Sequence, residues 1–391
     1  MRRKIICCLS LIIIVAPFAA AKLIRGDCGP ITESATDWPH FRFDLSHTGY
    51  NPHESILNPA TVGGLVLRWR SVPAFSIQSS PAVVNGVVYI GANDGNVYAL
   101  NAGNGCALWT YSTAGAISLS SPAVASGVVY VGSSDHNVYA LDADTGASLW
   151  KYTTGAAIYS SPTVDNGAVY VGSSDSNIYA LDARTGALVW KYAAAAGVDS
   201  SPAVANGMVY VGAESPDDNV YALNAGTGAL MWKYKTGSHV ESSPAVVNGL
   251  VYVGTDYPDA NVYALNANTG AFVWEYQAGY SVFTSPAVAN GVVYVGSADH
   301  NVYALSATTG ALLWEFATDD IVGFSSAAVT NGVVYIGSYD HNLYALHAIT
   351  GALLWQYATG GYIDSSPTIS DGVVYLGGVD GSIYAFALPN H

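Results

Sequence analysis

The chain has 391 residues, 51% of them hydrophobic and only 10% charged, with 41 Gly and 28 Tyr. That composition belongs to a folded protein with ample core and excludes a disordered one. A formal net charge of −15 argues against nucleic acid and against anionic membrane surfaces as partners.

Taken from the start, "MRRKIICCLSLIIIVAPFAAA" (1–21) has a basic head, an apolar run and a small-residue end. It reads as a secretory signal peptide cut after Ala21. The run, interrupted by Pro17, is too short for a membrane span. Cleavage removes Cys7 and Cys8 together with Arg2, Arg3 and Lys4, leaving 10 basic against 28 acidic residues and a net charge of −18. A secreted or periplasmic protein follows, with no membrane span in the mature chain. In such an oxidising compartment Cys28 and Cys106 can form a disulfide, and the sequence leaves open whether they do. Residues 22–64 are expected to lead into a repeat domain spanning 65–391.

"SSPAVVNGVVYIGANDGNVYALNAGNGCALW" (79–109) returns as "SSPAVASGVVYVGSSDHNVYALDADTGASLW" (120–150), and again from Ser160, Ser200, Ser242, Thr284, Ser325 and Ser365. A tryptophan marks the fourth strand of each repeat (69, 109, 150, 190, 232, 274, 314 and 355), which leaves only Trp38 outside the pattern. Each unit holds four short Val/Tyr/Ala-rich runs. Pairs such as Asn85-Gly86 separate the first two and fit tight hairpins with positive φ; "TG" separates the last two. Eight units of four antiparallel strands predict an all-β, eight-bladed propeller. The eighth unit stops at "SIYAFALPNH" (382–391) without its Trp strand, whereas "LVLRWR" (65–70) is a Trp strand without a unit. The N-terminal strand is therefore expected to complete the last blade and remove an exposed edge.

The Asp-His-Asn triplets at 135–137, 299–301 and 340–342 look like metal or acid–base clusters. They fall, however, in the turn after the second strand, where Asp and Asn bond nearby backbone and tolerate left-handed conformations. Gly95, Ser176 and Gly381 stand in the His position of other copies while the preceding Asp stays. The triplet reads as a turn.

"ALDADTGASLW" (140–150), "ALDARTGALVW" (180–190) and "ALNANTGAFVW" (264–274) resemble the tryptophan-docking repeat of pyrroloquinoline-quinone-type propellers. "DWPHFRFDLSHTGYNPHESILNPATVGGLVLRW" (37–69) resembles the opening segment of the same superfamily, so the likeness covers nearly all of the mature chain. It implies that the repeat tryptophans pack between blades. The superfamily includes quinoprotein alcohol dehydrogenases, which hold the quinone and usually Ca²⁺ above the ring, and non-catalytic propellers such as an outer-membrane assembly lipoprotein. Pyrroloquinoline quinone and Ca²⁺ are thus implied cofactors by resemblance alone. Three departures weigh against the enzyme: no adjacent cysteines survive signal removal, basic residues to hold a tricarboxylate cofactor are scarce, and long insertions that would roof a site are missing. There is no Cys-x-x-Cys-His haem motif, no nucleophile elbow and no phosphate loop. No catalytic aspartate can be carried over.

Comparison among the repeats locates one irregular position, at the entrance to each innermost strand: Gln78, Leu119, Tyr159, Asp199, Glu241, Phe283, Phe324 and Asp364. Such a ring reads either as drift at a loop-facing position or as a ligand mouth. Blades four and five also have longer second turns, "AESPDDN" (213–219) and "TDYPDAN" (255–261). These set Asp217, Asp218, Asp256 and Asp259 in the sector of Asp199 and Glu241, the candidate Ca²⁺ ligands. Three readings follow: a non-catalytic binding or scaffold module for a protein, peptide or small molecule on the variable face, a quinone-dependent alcohol dehydrogenase, or a repetitive surface structural protein.

Overall fold

A computed structural model describes residues 22–23, 28–29, 31, 36–72 and 75–389; the predicted signal segment, with Cys7 and Cys8, lies outside the described residues. Eight sheets surround one axis, each with four antiparallel strands of its own blade. In the second blade these are Ala123–Ala125, Val128–Gly132, Asn137–Asp142 and Ser148–Thr153, from the axis outward. Val66–Ser71 pairs antiparallel with Ile383–Ala387 and stands as the outer strand of the eighth blade.

The third strand reads "NVYALD" because neighbouring blades cover both of its faces. Val138, Tyr139, Ala140 and Leu141 are all buried, and a strand covered on both sides has no reason to alternate. The core accordingly lies between blades. One cluster, for example, joins Tyr89, Ala99 and Trp109 of the first blade to Val129, Tyr139 and Leu141 of the second.

Each tryptophan does two jobs at such an interface. Trp109 Nε1 donates to the Ala143 carbonyl of the next blade at 2.8 Å, and the Tyr89 hydroxyl donates to the same oxygen at 3.2 Å. The indole also lies flat against Gly146, whose φ is +70° and where a Cβ would sit 2.6 Å from the ring. Only glycine meets both conditions, which is why "TG" recurs in that turn. The pattern changes where the ring closes. There Trp355 Nε1 donates to the Leu65 carbonyl at 3.1 Å, and the buried Tyr335 hydroxyl has no hydrogen-bond partner among the described residues.

The doubled serines are explained in the same terms. The first of each pair accepts from a glycine N–H twelve residues on, as Ser120 does from Gly132 at 2.9 Å. The second links blade to blade: Ser80 N–H donates to Ser121 Oγ, Ser121 N–H to Ser161 Oγ, and so round to Ser366 N–H and Ser80 Oγ. These eight bonds, of 2.8 to 3.0 Å, form a closed circle.

The inner strands would leave a row of unpaired groups facing the axis. Residues 38–51 meet it by threading round the channel. Trp38 exchanges two hydrogen bonds with Val83 of the first blade, and Pro39 accepts from Val124 of the second. Leu45, Ser46, Thr48 and Gly49 accept from Val204, Val246, Val288 and Val329 of blades four to seven at 2.7 to 2.8 Å. The third and eighth blades are reached by side chains. His47 Nε2 lies 3.1 Å from Thr163 Oγ1, and Asn51 Nδ2 donates to the Ile369 carbonyl at 3.0 Å. Further out, Cys28 and Cys106 form a disulfide, and Lys22–Leu23 adds a strand to the outer edge of the first blade. The pairing left open by the sequence is thereby made.

Candidate functional site

The hairpins after the first strands, with positive φ at Asn85 and Gly86 and at every equivalent pair, lie at one end of the axis, and the plug of residues 38–51 closes that end. At the other end, the eight irregular residues of the inner strands line a single cup of about 100 Å³. Phe41 of the plug is its floor, and serines of the closed circle form the lower wall. All eight sequence-selected positions are thus brought together.

Their order round the axis divides the cup into four arcs. Gln78 and Asp364 are neighbours on one side, with Gln78 Nε2 donating to Asp364 Oδ2 at 2.9 Å. Leu119 and Tyr159 follow, then Asp199 and Glu241, then Phe283 and Phe324, whose ring centroids are 5.4 Å apart. Polar walls therefore face one another across the axis, as do apolar walls. Among the described residues no Lys, Arg or His lines the cup.

The three carboxyls are all shifted towards the protonated form, because a buried charge loses its water. Burial pushes the Asp199 carboxyl up to about 7, against a 2.7 Å hydrogen bond from Ser174 Oγ and with help from the neighbouring Glu214. Glu241 is raised by burial, opposed by His239 and reinforced by Asp256 and Asp199. Asp364, only 2% exposed, is raised by burial against its bond from Gln78.

Not every residue of the acidic sector belongs here. Asp217 and Asp259 are the turn aspartates of their blades: they accept from the hydroxyls of Tyr221 and Tyr263. Asp218 pairs with Lys235 at 2.9 Å. Asp256 receives His239 Nε2 at 2.7 Å and the Ser281 hydroxyl. Local partners thus claim each of the four, and Asp256 alone also bears on Glu241, across His239, whose Nε2 lies 3.7 Å from the Glu241 carboxyl. Among the described residues no group of three or more His, Cys, Asp or Glu is placed to hold a metal ion. Sequence reasoning missed Phe41, Glu214 and His239, the last two because they lie outside the irregular position, Glu214 in an adjoining loop and His239 two residues before Glu241.

The triplets are turns. His136, His300 and His341 sit at φ of 72–73°, where Ser176 has 68°. The aspartate before each accepts from the next Asn backbone and from a tyrosine hydroxyl four residues on, as Asp299 does from Asn301 at 3.0 Å and Tyr303 at 2.7 Å.

A closed ring of eight Trp-docked blades defines a propeller of the quinoprotein type. Residues 63–161, 135–239, 216–327 and 320–388 match the family described as outer membrane protein assembly factor BamB, and the chain belongs to that repeat family. The structure is similar to BamB from Moraxella catarrhalis, with a TM-score of 0.71 and 20% identity over 83% of this chain and 99% of that one. It is also similar to the quinohemoprotein alcohol dehydrogenase ADHIIG from Pseudomonas putida HK5, with a TM-score of 0.77 and 17% identity over 91% and 81% of the two chains. At such identities the likeness shows the fold. In sequence, a 96-residue stretch is 31% identical to the quinohemoprotein alcohol dehydrogenase of Comamonas testosteroni, covering 24% of this chain and 13% of that protein's length.

Proposed function

We propose that the protein is a secreted or periplasmic, non-catalytic binding or scaffold module that receives a protein, peptide or small-molecule ligand at the axial cup of its variable face. One observation carries this reading. Within a framework that repeats almost unchanged, the eight residues that differ in size and charge all line one cavity, open at one end and floored at the other. A predicted signal peptide accords with the location, as does membership of a family described by an outer-membrane assembly factor. No helix among the described residues is long and apolar enough to cross a membrane.

The quinone of the dehydrogenase relatives fits the cup poorly. That cofactor carries three carboxylates, and the walls here present three more, with no Lys or Arg lining the cup among the described residues and only His239 beside one of them; like charges in a desolvated space repel. A purely structural surface role accounts for the monotony of the blades but not for the variation gathered at the cup.

The test is a ligand-observed NMR screen of neutral, anionic and cationic small molecules against the wild type and Leu119→Trp, which fills the cup. Binding by at least one class that disappears in the variant is the expected result. If no compound distinguishes the two proteins, the cup is not a receptor site. Quinone-dependent, dye-coupled oxidation of alcohols would establish the dehydrogenase instead.

A further inference from the structure

We infer that the cup is selective for a small organic cation, an alkylated ammonium group, in place of the anionic quinone or a metal ion. This rests on the reading of the cup as a receptor site and goes on to name the ligand chemistry.

Charge comes first. Asp199 and Asp364 belong to the fourth and eighth of eight blades, so they stand on opposite walls, with Glu241 beside the former. A ligand on the axis therefore meets carboxyl groups on two sides, and a cation there would favour their ionised form.

The second observation is a buried oxygen with nothing to bond. Asp364 is 2% exposed; its Oδ2 accepts from Gln78, whereas Oδ1 makes no hydrogen bond. The Tyr339 hydroxyl and the Phe324 amide approach the carboxyl closely enough to oppose the effect of burial, short of a well-formed hydrogen bond to Oδ1. A buried acceptor left unmatched is costly, and this one belongs to a residue that lines the cup. A positive charge on the axis would relieve it, as it would the neighbouring carboxyls.

The remaining walls decide which cation. Phe283 and Phe324 on one side, Leu119 and Tyr159 on the other, and Phe41 beneath supply apolar and aromatic surface, and beside them the only side-chain oxygens are the Tyr159 hydroxyl and serine hydroxyls already engaged in the closed circle. Calcium needs six to eight oxygens at close range. Carboxylates divided between opposite walls cannot converge in that way, in keeping with the lack of a metal-holding group among the described residues. A weakly hydrated ammonium needs no such convergence. It is attracted by aromatic faces and by carboxylates at a distance, and its methyl groups favour the apolar arcs.

Calorimetric titration with tetramethylammonium chloride, calcium chloride and the tricarboxylate quinone tests the inference at constant ionic strength. Saturable binding of tetramethylammonium alone is expected, weakened about tenfold by Asp364→Asn and by Phe324→Leu. Thermal unfolding of each variant checks that it is folded, and should either fail to fold, Phe283→Leu replaces it. Binding of calcium or quinone in preference to tetramethylammonium overturns the inference, as does tetramethylammonium binding that neither wall variant weakens. The two readings separate cleanly. If neutral or anionic compounds bind in a cup-dependent manner while tetramethylammonium does not, only the cation selectivity fails. If nothing binds the cup, both readings fail.

Discussion

Two sets of carboxylates surround the same axis and behave in opposite ways. The turn aspartates, one in every blade, are wrapped in donors. Asp135 accepts from the Tyr139 hydroxyl, the Asn137 amide and the Ala114 N–H, which outweigh the effect of burial and hold its carboxyl below the usual range. The cup carboxylates occur in only three blades, have few donors, and are raised. Identical chemical groups thus act as structure where the surrounding N–H and O–H groups match them and are left short of donors where they do not. Repetition marks the first situation and variation the second.

The largest effect should come from breaking a member of the repeated set. Asp217 is 5% exposed and takes hydrogen bonds from Tyr221, Asn219 and the Ala195 N–H. Asp217→Ala strands these donors and should cost about 3 kcal/mol in urea unfolding. A loss as small as that of an ordinary surface substitution would remove the contrast.

A smaller effect of opposite sign is expected in the cup, and pH separates the two. The Asp199 carboxyl rises from 3.8 to about 7 on folding, so the folded state holds its proton more tightly. Its contribution is full below about pH 4 and is lost as pH rises to about 7. Asp199→Asn should therefore raise stability at pH 8, by on the order of 1 kcal/mol, and leave it unchanged at pH 4. Asp135, whose carboxyl is lowered, works the other way: its contribution is present above its unfolded value and disappears as pH falls through the folded one. Parallel pH profiles for Asp199→Asn and Asp135→Asn would contradict the distinction.

The smallest effect concerns the histidine beside a turn aspartate. His300→Ser should change stability by less than about 0.5 kcal/mol and leave metal content unaltered, because Ser176 adopts the same left-handed conformation in another blade. Loss of a stoichiometric metal ion on this substitution would make the triplet a site after all.

Much of this arrangement is legible in the letters. Eight copies of one pattern locate the blades, the hairpins and the docked tryptophans, and the single irregular position between constant neighbours locates the cup. The plug is not legible in this way. Residues 38–51 have no period, and their course depends on left-handed Arg42, Phe43 and His47, a conformation that non-glycine residues rarely announce. Their destination is also set by partners far away in the chain, as with Asn51 and Ile369. Glu214 and His239 escaped notice for a more local reason: Glu214 meets Asp199 where the second strand of its own blade returns, its N–H donating to the Gly197 carbonyl, and His239 stands two residues before Glu241 in the same loop.

The plug has a consequence for assembly. Residues 38–51 are made before any blade, yet their partners run from Val83 to Ile369 and include both the earliest and the latest repeats. Synthesis from the N-terminus supplies these partners one blade at a time, so the segment made first cannot complete its seat until the last repeat exists. Such distant pairing slows folding, because loop entropy is lost before the contacts repay it. The first residues of the ring thus act as its final fastening.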